Sequence, residues 1–144
     1  MADLSFPITG DPDDDALLLE DPFALLLGML LDQQVPMEWA FRSPARLRER
    51  MEAAEPNSFS PEGLAALDEE DVIALFAEKP ALHRYPKSMA KRAHGVARIL
   101  VDEYGGDAAT LWQTADDGAE LYRRLRTLPG YGEEKAKIFV ALLA

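Results

Sequence analysis

Apolar side chains recur along this chain at spacings of three and four residues, and no stretch rich in Val, Ile or Thr alternates apolar with polar positions. That is the period of helices rather than strands, so the pattern predicts an all-α fold. It is strongest from Pro86 to Tyr104. There Met89, Ala93, Val96, Ala97, Leu100, Val101 and Tyr104 share one face, Lys87, Lys91 and Arg98 lie on the opposite one, and Gly105-Gly106 supplies a stop. Between Asp21 and Asp32 the apolar residues Phe23, Leu25, Leu26, Leu27, Met29, Leu30 and Leu31 leave almost no polar side. With Asp21 as an N-cap and Pro22 at the first helical position, this segment predicts a helix at the centre of the core. Its uninterrupted apolar run, Ala24 to Leu31, is far shorter than the roughly 20 residues of a membrane span.

The remaining elements are set by caps and breakers. The stretch to Thr9 has little pattern and reads as chain draped over the surface, and Asp11-Pro12-Asp13-Asp14-Asp15 then caps a short helix from Ala16 to Glu20. Gln33-Gln34-Val35-Pro36 ends the core helix and leads to one holding Trp39 and Phe41. Ser43-Pro44 predicts a fresh helix start through Leu47 and Met51, with Arg42, Arg46, Arg48 and Arg50 balancing the acidic half of the chain, before a loop at Pro56-Asn57-Ser58. Ser60-Pro61 and Asp68 to Asp71 predict two further starts, the second leading to Val72, Ile73, Leu75 and Phe76. Leu111 and Trp112 form a short apolar turn, and Asp116-Asp117 introduces a helix with Leu121, Tyr122 and Leu125 inward and Arg123, Arg124 and Arg126 further round. A final helix runs from Glu133 to Ala144.

Composition narrows the chemistry. A length of 144 residues fits a single helical domain, read as a monomer. The absence of cysteine excludes disulfides, a thiolate zinc site, a cysteine nucleophile and a cysteine-held iron–sulfur cluster. No basic stretch precedes an apolar one at the N-terminus, so a signal peptide is not read and the expected compartment is the cytoplasm. The only histidines, His83 and His94, lack partners at metal-ligand spacing and are expected on the surface.

A net charge of −11 argues at first against a nucleic-acid partner, but its distribution is uneven. Residues 1–78 hold 4 Lys+Arg and 18 Asp+Glu, whereas residues 79–144 hold 11 and 8, so a polyanion would meet the second half. On charge alone, solubility is the favoured account of such an asymmetry.

The segment that carries chemistry is Leu128-Pro129-Gly130-Tyr131-Gly132, a tight turn between the last two helices, with the hairpin unit at about residues 118–144. Gly130 and Gly132 can take positive φ, and without side chains they let amides at the N-terminus of the last helix approach a phosphate oxygen. Lys135 is assigned a charge-assisted phosphate contact. Two turn glycines also suit a plain helix–helix connection. Of the aromatic residues Trp39, Trp112 and Tyr131, only Tyr131 is placed to offer a stacking face, the others suiting the core. Asp32, beside the two glutamines, is explained by helix capping and solubility.

Leu-Pro-Gly-Tyr-Gly-Glu-Glu-Lys-Ala (residues 128–136) resembles the hairpin of the helix-hairpin-helix/Gly-Pro-Asp (HhH-GPD) superfamily of DNA glycosylases, which includes endonuclease III and the adenine and 8-oxoguanine glycosylases. Two stretches in the same order extend the likeness over residues 21–144. Asp21 to Gln34 resembles the family's buried helix ending in glutamine, and Tyr85-Pro86-Lys87-Ser88-Met89-Ala90 the start of its long helix. The chain is most similar to a small subgroup of bacterial base-excision-repair-like proteins, which places it with the nucleoid. The resemblance implies binding of damaged double-stranded DNA through Gly130, Tyr131, Gly132, Lys135 and Lys87, extrusion of a base, and Gln34 filling the gap. It also implies a monovalent cation on the backbone carbonyls of Arg126, Leu128 and Tyr131, with no other cofactor.

Two departures bear on activity. Bifunctional members carry a Schiff-base lysine two residues after the second hairpin glycine, where this chain has Glu134. Lys135 is one residue later, about 100° round the helix. The family's catalytic aspartate lies beyond the helix that ends this sequence at Ala144, so the catalytic residue is unassigned. Three readings stand: a DNA glycosylase, a piece of a longer protein or whole; a non-catalytic helix-hairpin-helix DNA-binding protein; and an acidic helical protein-interaction domain.

Overall fold

The computed structural model describes residues 9–54 and 58–143; the draped N-terminal stretch before Thr9 and the loop residues Pro56 and Asn57 lie outside them. The elements are α1 Pro12–Glu20, α2 Pro22–Leu31, α3 Met37–Ala54, α4 Pro61–Ala65, α5 Glu69–Ala77, α6 Pro86–Tyr104, α7 Thr110–Gln113, α8 Gly118–Arg126 and α9 Glu133–Leu143. No strand occurs among the described residues, and none of their helices is long and apolar enough to cross a membrane. The all-α expectation holds.

The core helix is α2, in which every residue from Phe23 to Leu31 is buried. Around it pack α1, α3 and α6, while α4 and α5 cover α6 and α8 packs on α9. The starts obey local chemistry. Asp21 accepts from the Phe23 N–H at 2.9 Å, Ser60 from Gly63 at 2.9 Å and Asp117 from Glu120 at 2.8 Å, each contact of a kind that stabilises a helix by about 1 kcal/mol. The α6 stop is Gly105, at φ 63°, followed by a Gly106 N–H bonded to the Leu100 carbonyl at 2.9 Å.

The structure differs from the sequence reading at the start of the first helix, at Ser43-Pro44 and at the histidines. The first helix begins at Pro12 rather than Ala16, because Asp11 already accepts from the amides of Asp13 and Asp14. Ser43-Pro44 does not restart a helix; α3 runs through it. Pro44 has no N–H for the preceding turn, yet neighbouring contacts hold the helix together. The Ser43 hydroxyl is bonded to the carbonyls of Trp39 (3.0 Å) and Leu82 (2.6 Å), and the Trp39 Nε1–H donates to Ala81 O at 3.2 Å. Finally, His83 and His94 are buried, at 1% and 7% exposure, and not on the surface. Each ring meets main-chain carbonyl oxygens; His94 Nε2 lies 2.9 Å from Leu67 O.

The α3 arginines do balance acidic groups. Arg42 and Arg46 stand 3.6 and 3.8 Å from the buried Asp14 carboxylate, and Arg50 pairs with Glu78 at 3.0 Å. Burial, with Asp11 nearby, raises the Asp14 carboxyl above its usual range despite those arginines.

Candidate nucleic-acid interface

The hairpin joins α8 to α9. Leu125 and Leu128 anchor its first arm in the core, and the Tyr131 N–H returns to Leu128 O at 3.2 Å. Gly130 takes φ 83° and is half-buried, with its α-carbon against Leu30 and the aliphatic stem of Arg92; a β-carbon there would collide with Leu30 and stand 3.1 Å from Arg92 Cδ. Gly132 behaves differently. It is exposed, is not among the positive-φ glycines, and a β-carbon on it would meet nothing within 4 Å. Its carbonyl starts α9 by accepting the Ala136 N–H at 3.0 Å. The amides of Glu133, Glu134 and Lys135 in that first turn have no intrahelical carbonyl to meet. Glu133 and Glu134 also place two exposed carboxylates there.

Two proposed DNA contacts are corrected by the geometry. Tyr131 is 3% exposed, its hydroxyl donates to Leu26 O at 2.5 Å, and its ring lies stacked 6.2 Å from Phe139. Burial pushes its phenol well above the ordinary value, and no stacking face remains for a base. Lys135 is turned inward as well. Its Nζ donates to the carbonyls of Met29 and, at 2.8 Å, of Asp32, so its charge sits on the C-terminal end of α2 instead of awaiting a phosphate. Burial lowers its ammonium pKa and Asp32 opposes that shift.

At that end of α2 the carbonyls are satisfied one after another. Gly28 and Met29 accept the Asp32 N–H, Leu30 accepts Gln33 Nε2 (2.7 Å), and Leu31 accepts the Gln33 N–H (2.7 Å). His83 Nε2 lies 3.1 Å from Leu31 O and 2.9 Å from Gln33 O. Because His83 Nδ1 accepts the Tyr85 N–H at 3.0 Å, the ring proton is on Nε2, directed at both carbonyls. Burial holds this imidazole below the ordinary histidine value, and the charges of Arg84 and Arg92 act in the same direction. Arg92 donates to Gln33 Oε1 at 2.9 Å. The next residue, Gln34, is exposed at φ 60°, a left-handed conformation unusual for a residue with a side chain.

Gln34, Gly130 and Gly132 therefore belong to one end of the molecule, because the hairpin rests on α2 through Leu30, Tyr131 and Lys135. Lys87 is not part of that cluster. Successive α6 residues turn by about 100°, which puts Lys87 about 140° round the helix from Arg92. There it lines a depression with Glu69, Glu70, Ile73 and Lys91. Arg126 is exposed and lies over the Tyr122 ring, 5.9 Å from its centroid. The Leu128 carbonyl, one of the oxygens named for a cation, accepts the Tyr131 N–H and keeps a second lone pair. Lying at the negative end of the α8 dipole, such carbonyl donors fit a monovalent cation.

A family model for HhH-GPD superfamily base excision DNA repair proteins matches residues 27–141. The chain belongs to that superfamily. A solved structure of a trapped endonuclease III–DNA covalent intermediate, an estranged-adenine complex, shares the fold at a TM-score of 0.58 and 19% identity. The match covers 90% of this chain and 55% of that one, so the HhH-GPD chain described here spans about half that protein's length. No curated protein matches it.

Within this HhH-GPD fold, the residues that sequence reasoning missed are His83 and Arg92. Arg92 occupies no capping or periodic position, and His83 sits between Leu82 and Arg84 with no spacing that marks it; both acquire their role from α2, more than 50 residues away.

Proposed function

We propose that this chain binds damaged duplex DNA through the Gly130–Gly132 hairpin and presents Gln34 to the gap left by an extruded nucleotide, as a base-excision-repair protein of the glycosylase type. The observation that carries the reading is the exposed, left-handed Gln34 at a fully bonded helix end, at the same end of the molecule as the open Gly132. A phosphate on the Gly132 side would meet α9 main-chain amides at the positive end of a helix dipole. Gln34, exposed after the end of α2, would enter the base stack. The exposed side chains of Arg123 and Arg126 add positive charge on α8, while Lys137 on α9 is paired with Glu133 at 2.9 Å. A monovalent cation on the carbonyls of Arg126, Leu128 and Tyr131 would stiffen the turn that presents those amides.

The test is fluorescence anisotropy on two labelled duplexes, one intact and one carrying a tetrahydrofuran abasic analogue, together with base-release assays on alkylated, oxidised and deaminated lesions. Salt-sensitive binding that favours the abasic duplex is the expected result. Absence of binding at low salt would overturn the reading. Base release without lyase cleavage of the strand is the form of the activity that Glu134 favours. That exposed carboxylate stands where bifunctional relatives carry their amine, and the neighbouring Lys135 is committed to α2. Base release with no cleavage of the abasic strand is the expected result, and binding without release from any lesion would decide instead for a non-catalytic DNA-binding protein.

A further inference from the structure

The chain offers two consecutive glutamines at the end of α2, and the structure gives them opposite fates. Every hydrogen-bonding group of Gln33 is engaged. Its N–H donates to Leu31 O, its C=O accepts from His83, its Nε2 donates to Leu30 O, and its Oε1 accepts from Arg92. Gln34, directly after it, makes the left-handed turn and is exposed.

We propose that His83 and Arg92 are positioning residues which, by immobilising Gln33, hold Gln34 in the conformation that enters the DNA stack. The inference rests on the function proposed above. A left-handed φ is unfavourable for an L residue, so Gln34 keeps it only where its surroundings leave no alternative. On the N-terminal side that constraint is the Gln33 lock. On the C-terminal side Pro36 restricts Val35 to extended geometry. Arg92 couples this lock to the hairpin, because its guanidinium holds Gln33 while its stem lies against the bare α-carbon of Gly130. Wedge and hairpin thus share one side chain. His83 supplies a neutral donor: its Nδ1 is occupied by the Tyr85 N–H, so its Nε2–H alone serves both carbonyls. A side chain ordered during folding does not have to be ordered on binding, which is where the lock acts on DNA affinity.

The readout is the ratio of affinities for the abasic and the intact duplex, measured for the wild type, Gln34→Ala, Arg92→Met and the double variant. Methionine keeps a stem beside Gly130 and removes the guanidinium. Arg92→Met is expected to lower the ratio by about threefold to tenfold, Arg92→Lys to restore part of it, and Arg92→Met to have no further effect once Gln34 is alanine. An Arg92 effect that does not pass through Gln34 would lower the ratio equally in both backgrounds, and that result overturns the proposal. So does an unchanged ratio in Arg92→Met when Gln34→Ala has lost it. If Arg92→Met does not fold, Gln33→Met removes the same bond from the other partner and is read against the same outcomes. A wild type that shows no preference for the abasic duplex overturns the functional reading itself, and the two failures are distinguishable.

Discussion

The ammonium of Lys135 lies 2.8 Å from the carbonyl oxygen of Asp32 and also bonds Met29 O, so a residue of the last helix closes the end of the central one. A hydrogen bond from a charged donor contributes about 1.5–3 kcal/mol, and its loss here removes the Lys135 partner of Asp32 O and one of the two partners of Met29 O. Lys135→Met is therefore expected to lower stability by about 1–3 kcal/mol in urea unfolding. The same variant separates its structural role from a phosphate contact. The slope of log affinity against log salt should stay at the wild-type value, whereas loss of a phosphate contact would reduce it by about 0.9.

The two hairpin glycines are expected to respond in different ways to alanine. Gly130 has φ 83°, and its added β-carbon would meet Leu30, which is fully buried and cannot swing aside. Backbone strain and overpacking together give a loss of about 2–4 kcal/mol for Gly130→Ala in thermal or urea unfolding. Gly132→Ala adds an atom into open space and should shift stability by about 1 kcal/mol or less. Its effect belongs to DNA affinity, which should fall because the methyl group stands between the α9 amides and a phosphate. Equal destabilisation by the two variants would contradict this division.

The contrast between those glycines marks what the sequence makes legible. A glycine pair flanking an aromatic residue identifies a hairpin, and the caps Asp21 and Asp117 and the stop at Gly105 place helix ends, because each acts within a few residues of itself. The α2 and α6 faces are readable for the same reason. Side chains that act across the fold are not. Lys135 reads as a phosphate ligand from the hairpin side, but its partners lie 103 and 106 residues earlier. Tyr131 reads as an exposed ring until Leu26 and Phe139 are seen to enclose it. Pro44 marks a helix start by local rules, and is overruled by bonds from Ser43 and Trp39 to the segment before α6.

His83 makes stability depend on pH with a definite sign. Burial lowers its folded-state pKa below the ordinary 6.5, so in the unfolded chain the ring takes a proton that the folded state refuses. Its contribution is complete above 6.5 and is lost as pH falls from there toward the lowered folded value. Asp14 and Asp21, raised by burial, work in the opposite direction at lower pH, since their folded forms bind protons more readily. The histidine effect is isolated by difference: wild type minus His83→Gln in unfolding midpoints between pH 7.5 and 5.5. The wild type is expected to lose stability relative to the variant as pH falls, and parallel profiles would show that the ring is not held neutral.

The acidic first turn of α9 sets a limit on affinity that substitution should release. Glu133 and Glu134 are well placed for the helix dipole, but they stand where the proposed phosphate would bind, and a carboxylate competes with it for the same amides. Glu133 stays ionised, because the hydrogen bond and charge of Lys137 hold its carboxyl below the usual range. Replacing both by glutamine removes that repulsion while keeping size and polarity. Affinity for intact duplex in anisotropy titrations at low ionic strength should then rise by about twofold to fivefold, the scale of a charge at a helix terminus. The gain should shrink as salt is added, because these side chains are exposed and screened. If neutralising them leaves affinity unchanged at low salt, the phosphate does not bind at Gly132, and the hairpin amides are not what holds the DNA.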